Sequence, residues 1–311
     1  MADDDSAPDA AAAQVRAAQD LPSLDRSLYR LSVVWENDGG VIRPGGTDRH
    51  YTNGVLVSFA HQPAWADGLA DGLGLDHTAT AAGYHAGHQM FTPEDLTRVI
   101  PDPTDRPYAG YLFAGVFWQR EQGNQLDHIQ LDFGVVGPSS GADDLQDWVH
   151  EWFDGQDPQG WDSQLGDEFT YQLTYRHKWR IPLDNFRPFK HDVDWQLIPQ
   201  AGFGVGNVYR QADLAVTLRV GQFLADDFGP SSIADLASAT GLTRQWQAQR
   251  DGRLPGFRWS LFGTARVRFV EHNMFLDGPD GEPGPAVDSE PIVGEFGGGV
   301  ELLFRMNDRW S

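Results

Sequence analysis

The sequence predicts an all-β protein, an antiparallel up-and-down β-barrel of the transmembrane kind with one short helix at its rim. Three observations lead there. Apolar and polar residues alternate with period two through several long segments. The 311 residues favour sheet, with 35 Gly, 18 Phe and 11 Trp against only 4 Met. Finally, Arg258, Arg266 and Arg268 share one face of a single segment. Three guanidinium groups on one strand face suit a polar lumen better than a packed core.

Ten strands are expected, near 27–36, 51–61, 83–91, 108–120, 124–136, 168–181, 193–206, 211–222, 256–270 and 291–305. The alternation is clearest in four of them. Ile129, Leu131, Phe133 and Val135 oppose Gln130 and Asp132, and Leu214, Val216, Leu218 and Val220 oppose Asp213, Thr217 and Arg219. Phe257, Trp259, Leu261, Ala265, Val267 and Phe269 oppose Arg258, Ser260, Thr264, Arg266 and Arg268. Ile292, Phe296, Val300, Leu302 and Phe304 oppose Glu295, Glu301 and Arg305. The expected barrel is closed, with aliphatics such as Leu214, Leu218 and Leu261 outward and Arg258, Arg266 and Glu301 inward. One helix is expected over 141–153, with Leu145, Val149 and Trp152 on a common face.

Residues 1–24 read as a disordered acidic and Ala-rich leader, opening on Asp3-Asp4-Asp5 and lacking the apolar core of a signal peptide. Residues 25–311 read as a single barrel domain. No apolar run approaches the ~18 residues of a membrane helix, and mean hydropathy is -0.45. A membrane barrel shows neither feature, because lipid-facing and lumen-facing residues alternate. The formal charge of -22 excludes a nucleic-acid role, which needs a basic surface. The absence of cysteine excludes disulfides and thiolate metal sites.

In a meander, the loops after odd strands share one rim. Those loops, 37–50, 92–107 and 137–167, carry the densest polar clusters: Asn37 and Asp38, then Arg98, Asp105 and Arg106, then Gln146 and His150. A turn needs Asn, Asp and Gly; it does not need the Arg49, Tyr51 and Thr52 that accompany Asp48 and Asn53. His150 lies four residues after Gln146, so the two project from one helix face. An imidazole with an ordinary pKa near ~6.5 can take a proton from water at neutral pH. Asn37 and Asp38 alone first spell a turn, and Thr52 alone an ordinary strand residue. Asp105 and Arg106 read as an ion pair pinning the loop before the fourth strand. The remaining histidines show no metal-ligand spacing. No Gly-x-Ser-x-Gly elbow occurs and Ser139-Ser140 lacks a triad context, which disfavours a serine esterase.

Eight motifs in order give these residues a family context: Glu36-Asn37-Asp38, Asp48 to Gly54, Phe91-Thr92-Pro93, Asp105 to Gly110, Gly134 to Pro138, His150, Gly160-Trp161-Asp162 and Gly206 to Tyr209. The string, from about residue 30 to residue 304, resembles the LpxR family of outer-membrane lipid A 3'-O-deacylases. The resemblance implies Ca²⁺-dependent hydrolysis of the 3'-linked acyloxyacyl ester of lipid A in the bacterial outer membrane, with lipopolysaccharide as substrate. It implies His150 as general base, Asn37 and Asp38 as Ca²⁺ ligands, and Thr52, Gln146 and Arg98 as positioning groups. Arg98 stands where a branch of the family has Lys, a change of geometry as well as of side chain. The family pattern has 12 strands and continues through a last hairpin; here the chain stops at Ser311, so its last strands are expected to be missing or the count to be short. Two other classes stay open, a non-catalytic barrel (porin-like or an inactive relative) and a soluble lipid-binding β-barrel.

Overall fold

The structure is a computed structural model that describes residues 29–37, 53–146, 158–183, 193–222, 224, 228–229, 257–281 and 284–304. Ten long strands and one two-residue strand form a single antiparallel sheet. They are β1 (Tyr29–Asn37), β2 (Asn53–His61), β3 (Ala79–Phe91), β4 (Ala109–Gln122), β5 (Gln125–Val136), β6 (Glu168–Trp179), β7 (Ile181–Pro182), β8 (Asp194–Gly206), β9 (Tyr209–Gly221), β10 (Phe257–Asn273) and β11 (Ile292–Phe304). Neighbours in sequence are neighbours in the sheet, with β7 set beside β8 off the main path. The β6–β8 ladder stops at Gln200 and pairing resumes with β7 opposite Leu197. Pro199, which has no N–H to give, lies in that gap.

This meander puts the ends of β1, β3, β5, β8 and β10 on one rim, called here the upper rim, and the turn Gly123–Asn124 on the lower one. The expected parity therefore holds. Faces also sort as the alternation requires. Leu214, Val216, Leu218, Phe257 and Leu261 are exposed outside, whereas Arg258 is buried inside. Guanidinium groups inside are paired: Arg176 donates to Asp213 at 2.9 and 3.2 Å. Arg219 donates to Glu301 at 2.9 Å, and Arg266 and Arg268 approach Glu295 at 3.5 and 3.1 Å. Beside them His85 pairs with Asp132, which also accepts from Gln130 at 2.7 Å.

Apolar clusters lie inside the sheet near both ends. Under the upper rim, Phe275 from the short helix Met274–Asp277 stacks on Phe91 at 4.1 Å and meets Tyr111 at 5.6 Å. At the lower rim Phe228 is buried against Leu126, with Arg180 4.6 Å above its ring. Phe228 belongs to the connection that follows β9, whose end lies on the lower rim as the strand count requires.

Two expectations need correction. The barrel is not closed among the described residues: β1 pairs only with β2, and β11 only with β10. The sheet nevertheless curls far enough for Val34 of β1 to pack on the cluster holding Met274 and Phe275. Nor is there one helix alone. Ala64–Gly72 forms a helix at the lower rim, in a segment whose glycines and aspartates hid its period. Of the expected 141–153 helix, residues 142–146 are helical and 147–153 lie outside the described residues.

Candidate functional site on the outer wall

Three upper-rim segments, 92–107, 138–146 and 158–165, fold together against the outside of β3 and β4. Their shared core is Met90, Leu96, Tyr108, Ala142 and Trp161, with Leu145 packed on it. Backbone bonds knit them: Gln159 N–H donates to Leu96 at 2.9 Å, and Leu165 N–H to Tyr108 at 2.9 Å. Tyr108 and Trp161 rings lie 5.0 Å apart, and burial pushes the Tyr108 hydroxyl up to about 12, so it stays neutral.

The approach of 138–146 to the wall is set by two glycines. Gly137, at φ 105°, turns the chain where a side chain would strike the Gly166 carbonyl. Gly110 lies directly under the segment; a Cβ there would collide with Ser140 Oγ and Ala142 Cβ. His88, one outward step below Met90, places Nε2 3.2 Å from the Ser140 carbonyl. Ser139 fastens the far side, donating N–H and Oγ–H to Asp167 at 2.7 Å each.

Gln146 is buried where this helical segment meets Trp161, whose indole N–H donates to Gln146 Oε1 at 2.8 Å. Backbone register carries the same level across the wall: Gly110 pairs with Met90, Met90 with Asn53, and Asn53 with Asn37. Asn37 therefore ends β1 on the row against which 138–146 packs. Asp38, Thr52 and His150 lie outside the described residues. In sequence, Thr52 immediately precedes Asn53 and His150 follows Gln146 by four residues.

Arg98 sits on the adjoining loop, exposed, its guanidinium donating to Asp102 at 2.9 Å. Threonine hydroxyls and amides shape this loop. Thr97 donates to Asp95 and Thr104 to Asp102, which holds both carboxyls below the ordinary aspartate value; Arg98 adds to the effect at Asp102. Asp105 pins the loop, though not through the expected ion pair. Its carboxylate accepts from the Glu94 and Arg106 amides at 2.6 and 2.7 Å, while the Arg106 guanidinium lies 4.9 Å over Phe91. Burial lowers Arg106 to about 10, so it remains charged at neutral pH.

The sequence reading missed Trp161, Tyr108, Gly110 and His88 as builders of this cap. A Gly-Trp pair inside a polar loop was the available signal for Trp161. The role of His88 depends on a contact 52 residues away and left no local trace. Among the described residues no group of three His, Asp or Glu side chains could hold a metal. The hard oxygen donors of Asn37 and Asp38 fit Ca²⁺ by type.

A fold this specific can be compared with known proteins. The family profile described as outer membrane protein LpxR matches residues 8–308. No curated protein gives a match. Among solved structures, LpxR from Salmonella typhimurium matches with a TM-score of 0.68 over 89% of this chain and 88% of that one, at 18% identity. That identity speaks for the fold, and the profile match for descent: this chain belongs to the LpxR family of outer-membrane proteins.

Proposed function

We propose that this protein hydrolyses the 3'-linked acyloxyacyl ester of lipid A in a Ca²⁺-dependent reaction. One observation carries the reading: the cap bearing Gln146 is packed on the outside of the wall, at the row of Asn37, rather than over the lumen. A substrate anchored in the surrounding leaflet reaches such a site sideways without leaving the lipid. A lumen-directed function fits less well. Arg219, His128, Gln130 and Asp132 fill the interior at 3% exposure or below, which leaves little of the water path that a porin needs. A soluble lipid carrier would want the reverse arrangement, apolar within and polar without.

In the proposed reaction His150 takes a proton from water, and the resulting hydroxide attacks the ester carbonyl carbon. The tetrahedral adduct then collapses, breaking the bond between the acyl carbon and the 3' oxygen, and His150 returns its proton to that oxygen, giving a fatty acid and a free 3'-hydroxyl. Asn37 and Asp38 would hold Ca²⁺, which when bound supplies positive charge to offset the developing oxyanion. Thr52 would orient the carbonyl. Gln146 would fix the helix on which His150 is carried, and Arg98 would meet a lipid phosphate. Incubation of the purified protein with lipid A tests this. Chelation of Ca²⁺ should abolish turnover, and Asp38→Asn should raise the Ca²⁺ requirement by weakening a carboxylate ligand. His150→Ala should lower the rate by about 10²–10⁴-fold, the usual worth of a positioned base. Undiminished hydrolysis by His150→Ala would remove the mechanism.

A further inference from the structure

The lower-rim helix Ala64–Gly72 has an apolar face left exposed among the described residues. It buries only Ala66 and Ala70, which lie with Ala82 and Trp118 of the outer wall. Trp118 fixes it there, its indole N–H donating to the Ala66 carbonyl at 3.2 Å. Trp65, Leu69 and Leu73 remain exposed at 56, 42 and 61%. At ~100° per residue these three, spaced by four, form a stripe along one flank of the wall-contacting line, and Asp67 and Asp71 lie on the other flank.

The wall tells which flank faces which way. Asp67 accepts from Thr80 Oγ1 at 2.6 Å, and Thr80 is one outward step closer to the lower rim than Ala82. The acidic flank therefore points to the rim, and the Trp65–Leu69–Leu73 flank points up the wall, toward exposed Tyr84 and Val116. The Thr80 row is itself polar. It continues through Arg120, Asp127 and His177, with Asp127 accepting from Arg120 and from His177 at 2.6 Å. Above it the outward positions of β3 to β6 are apolar or aromatic up to Met90 and the cap, apart from His88, which is bonded to the cap itself, while on β2 His61 lies beside Ala82. From Thr80 to Met90 is ten residues, ~33 Å along the strand at ~3.3 Å each, or ~25 Å across the membrane at a tilt of ~40°, the height of a lipid-facing barrel band.

We infer that Ala64–Gly72 is an interfacial anchor, with Trp65, Leu69 and Leu73 inserted among phospholipids at the boundary of the leaflet opposite the candidate site. The occupant is lipid because the stripe is continuous with the lipid-facing wall and lies level with the change from aromatic to polar rows. No Lys or Arg lies in residues 64–79, so insertion is apolar and does not depend on anionic headgroups.

The chain has no cysteine, which makes Leu69→Cys a unique labelling site in the full-length protein. Spin labels at Leu69→Cys and Trp65→Cys, with Val116→Cys as a mid-wall reference and Asp71→Cys as an aqueous one, are read in phosphatidylcholine bilayers. Dissolved oxygen and a water-soluble nickel chelate serve as the two relaxation probes. The Leu69 and Trp65 labels should lie ~5–10 Å below the headgroup boundary, between the two references, unchanged by adding phosphatidylglycerol or salt. Nickel accessibility equal to that of Asp71→Cys would overturn the inference. So would shielding from both probes, which would mean a protein partner or a second copy covers the stripe. Two labelled positions guard against one substitution disturbing the helix.

Discussion

Replacing Trp161 by Phe tests whether the cap is held to the wall by the bond to Gln146. The substitution removes one indole donor and retains a ring to lie against Tyr108, now 5.0 Å away. Both partners are buried, Gln146 at 3% and Trp161 at 7% exposure, so no water readily replaces the 2.8 Å bond. A neutral hydrogen bond contributes about 1 kcal/mol net, and an acceptor left buried without one costs about 1–3 kcal/mol. That loss falls on the local docking of 138–146 rather than on the sheet, which keeps its ladder. Hydrogen exchange at the amides of 142–146 should accelerate about 5- to 30-fold, the equivalent of 1–2 kcal/mol in a local opening equilibrium. The rate of 3'-acyl release should also fall, through kcat, since His150 follows Gln146 by four residues in sequence. Gln146→Leu combined with Trp161→Phe should restore much of the exchange protection, because removing both polar partners leaves nothing unpaired. Unchanged exchange in Trp161→Phe, or strict additivity of the two substitutions, would refute the idea that this bond fastens the cap.

The other expectations concern the same cap. Gly110→Val should force 138–146 off the wall, since even a Cβ meets Ser140 and Ala142. An overpacking cost of about 1–3 kcal/mol should appear as proteolysis within the cap while the β content of the sheet, read by circular dichroism, is unchanged. Arg98→Ala should leave folding intact, because its ion pair with Asp102 is exposed and such pairs contribute little. It should raise KM for lipid A about tenfold by losing a charged contact, and Arg98→Lys should recover most of the difference. Acid should loosen the 92–107 loop. Asp95 and Asp102 have carboxyl groups held below the ordinary value, so their contribution is complete above that value and lost as pH falls through their lowered ones. The protection of this loop's amides, relative to their intrinsic exchange at each pH, should therefore be steady from neutral pH down to the ordinary aspartate range and fall below it.

The sheet was legible because its signal is local. Period-two alternation in 257–269 placed Arg258 and Arg266 in the lumen and Leu261 in the belt before any pairing was known, and odd–even counting put 92–107 and 137–146 on one rim. What stayed hidden depends on contacts distant in sequence. The helix Ala64–Gly72 has only two alanines as its buried stripe, so its apolar period points to lipid and resembles no core-facing pattern. The cluster formed by Phe275 and Phe91 needs residues 184 positions apart (275 minus 91) brought together by the curl of the whole sheet. Gln146 was chosen as a positioning group, yet its partner Trp161 lies on a separate loop, and only the fold shows why a buried glutamine is needed there. Asp105 was correctly read as a loop pin, but the bonds it makes go to backbone amides, which a sequence does not display.

The most direct test of the account is mass spectrometry of lipid A from outer membranes incubated with the purified protein and Ca²⁺. The expected result is loss of the mass of the 3'-linked acyloxyacyl group alone, with fragmentation showing a free 3'-hydroxyl and all other acyl chains intact, and a loss slower by about 10²–10⁴-fold with His150→Ala. Intact lipid A at every Ca²⁺ concentration, or loss of acyl groups from other positions, would contradict it.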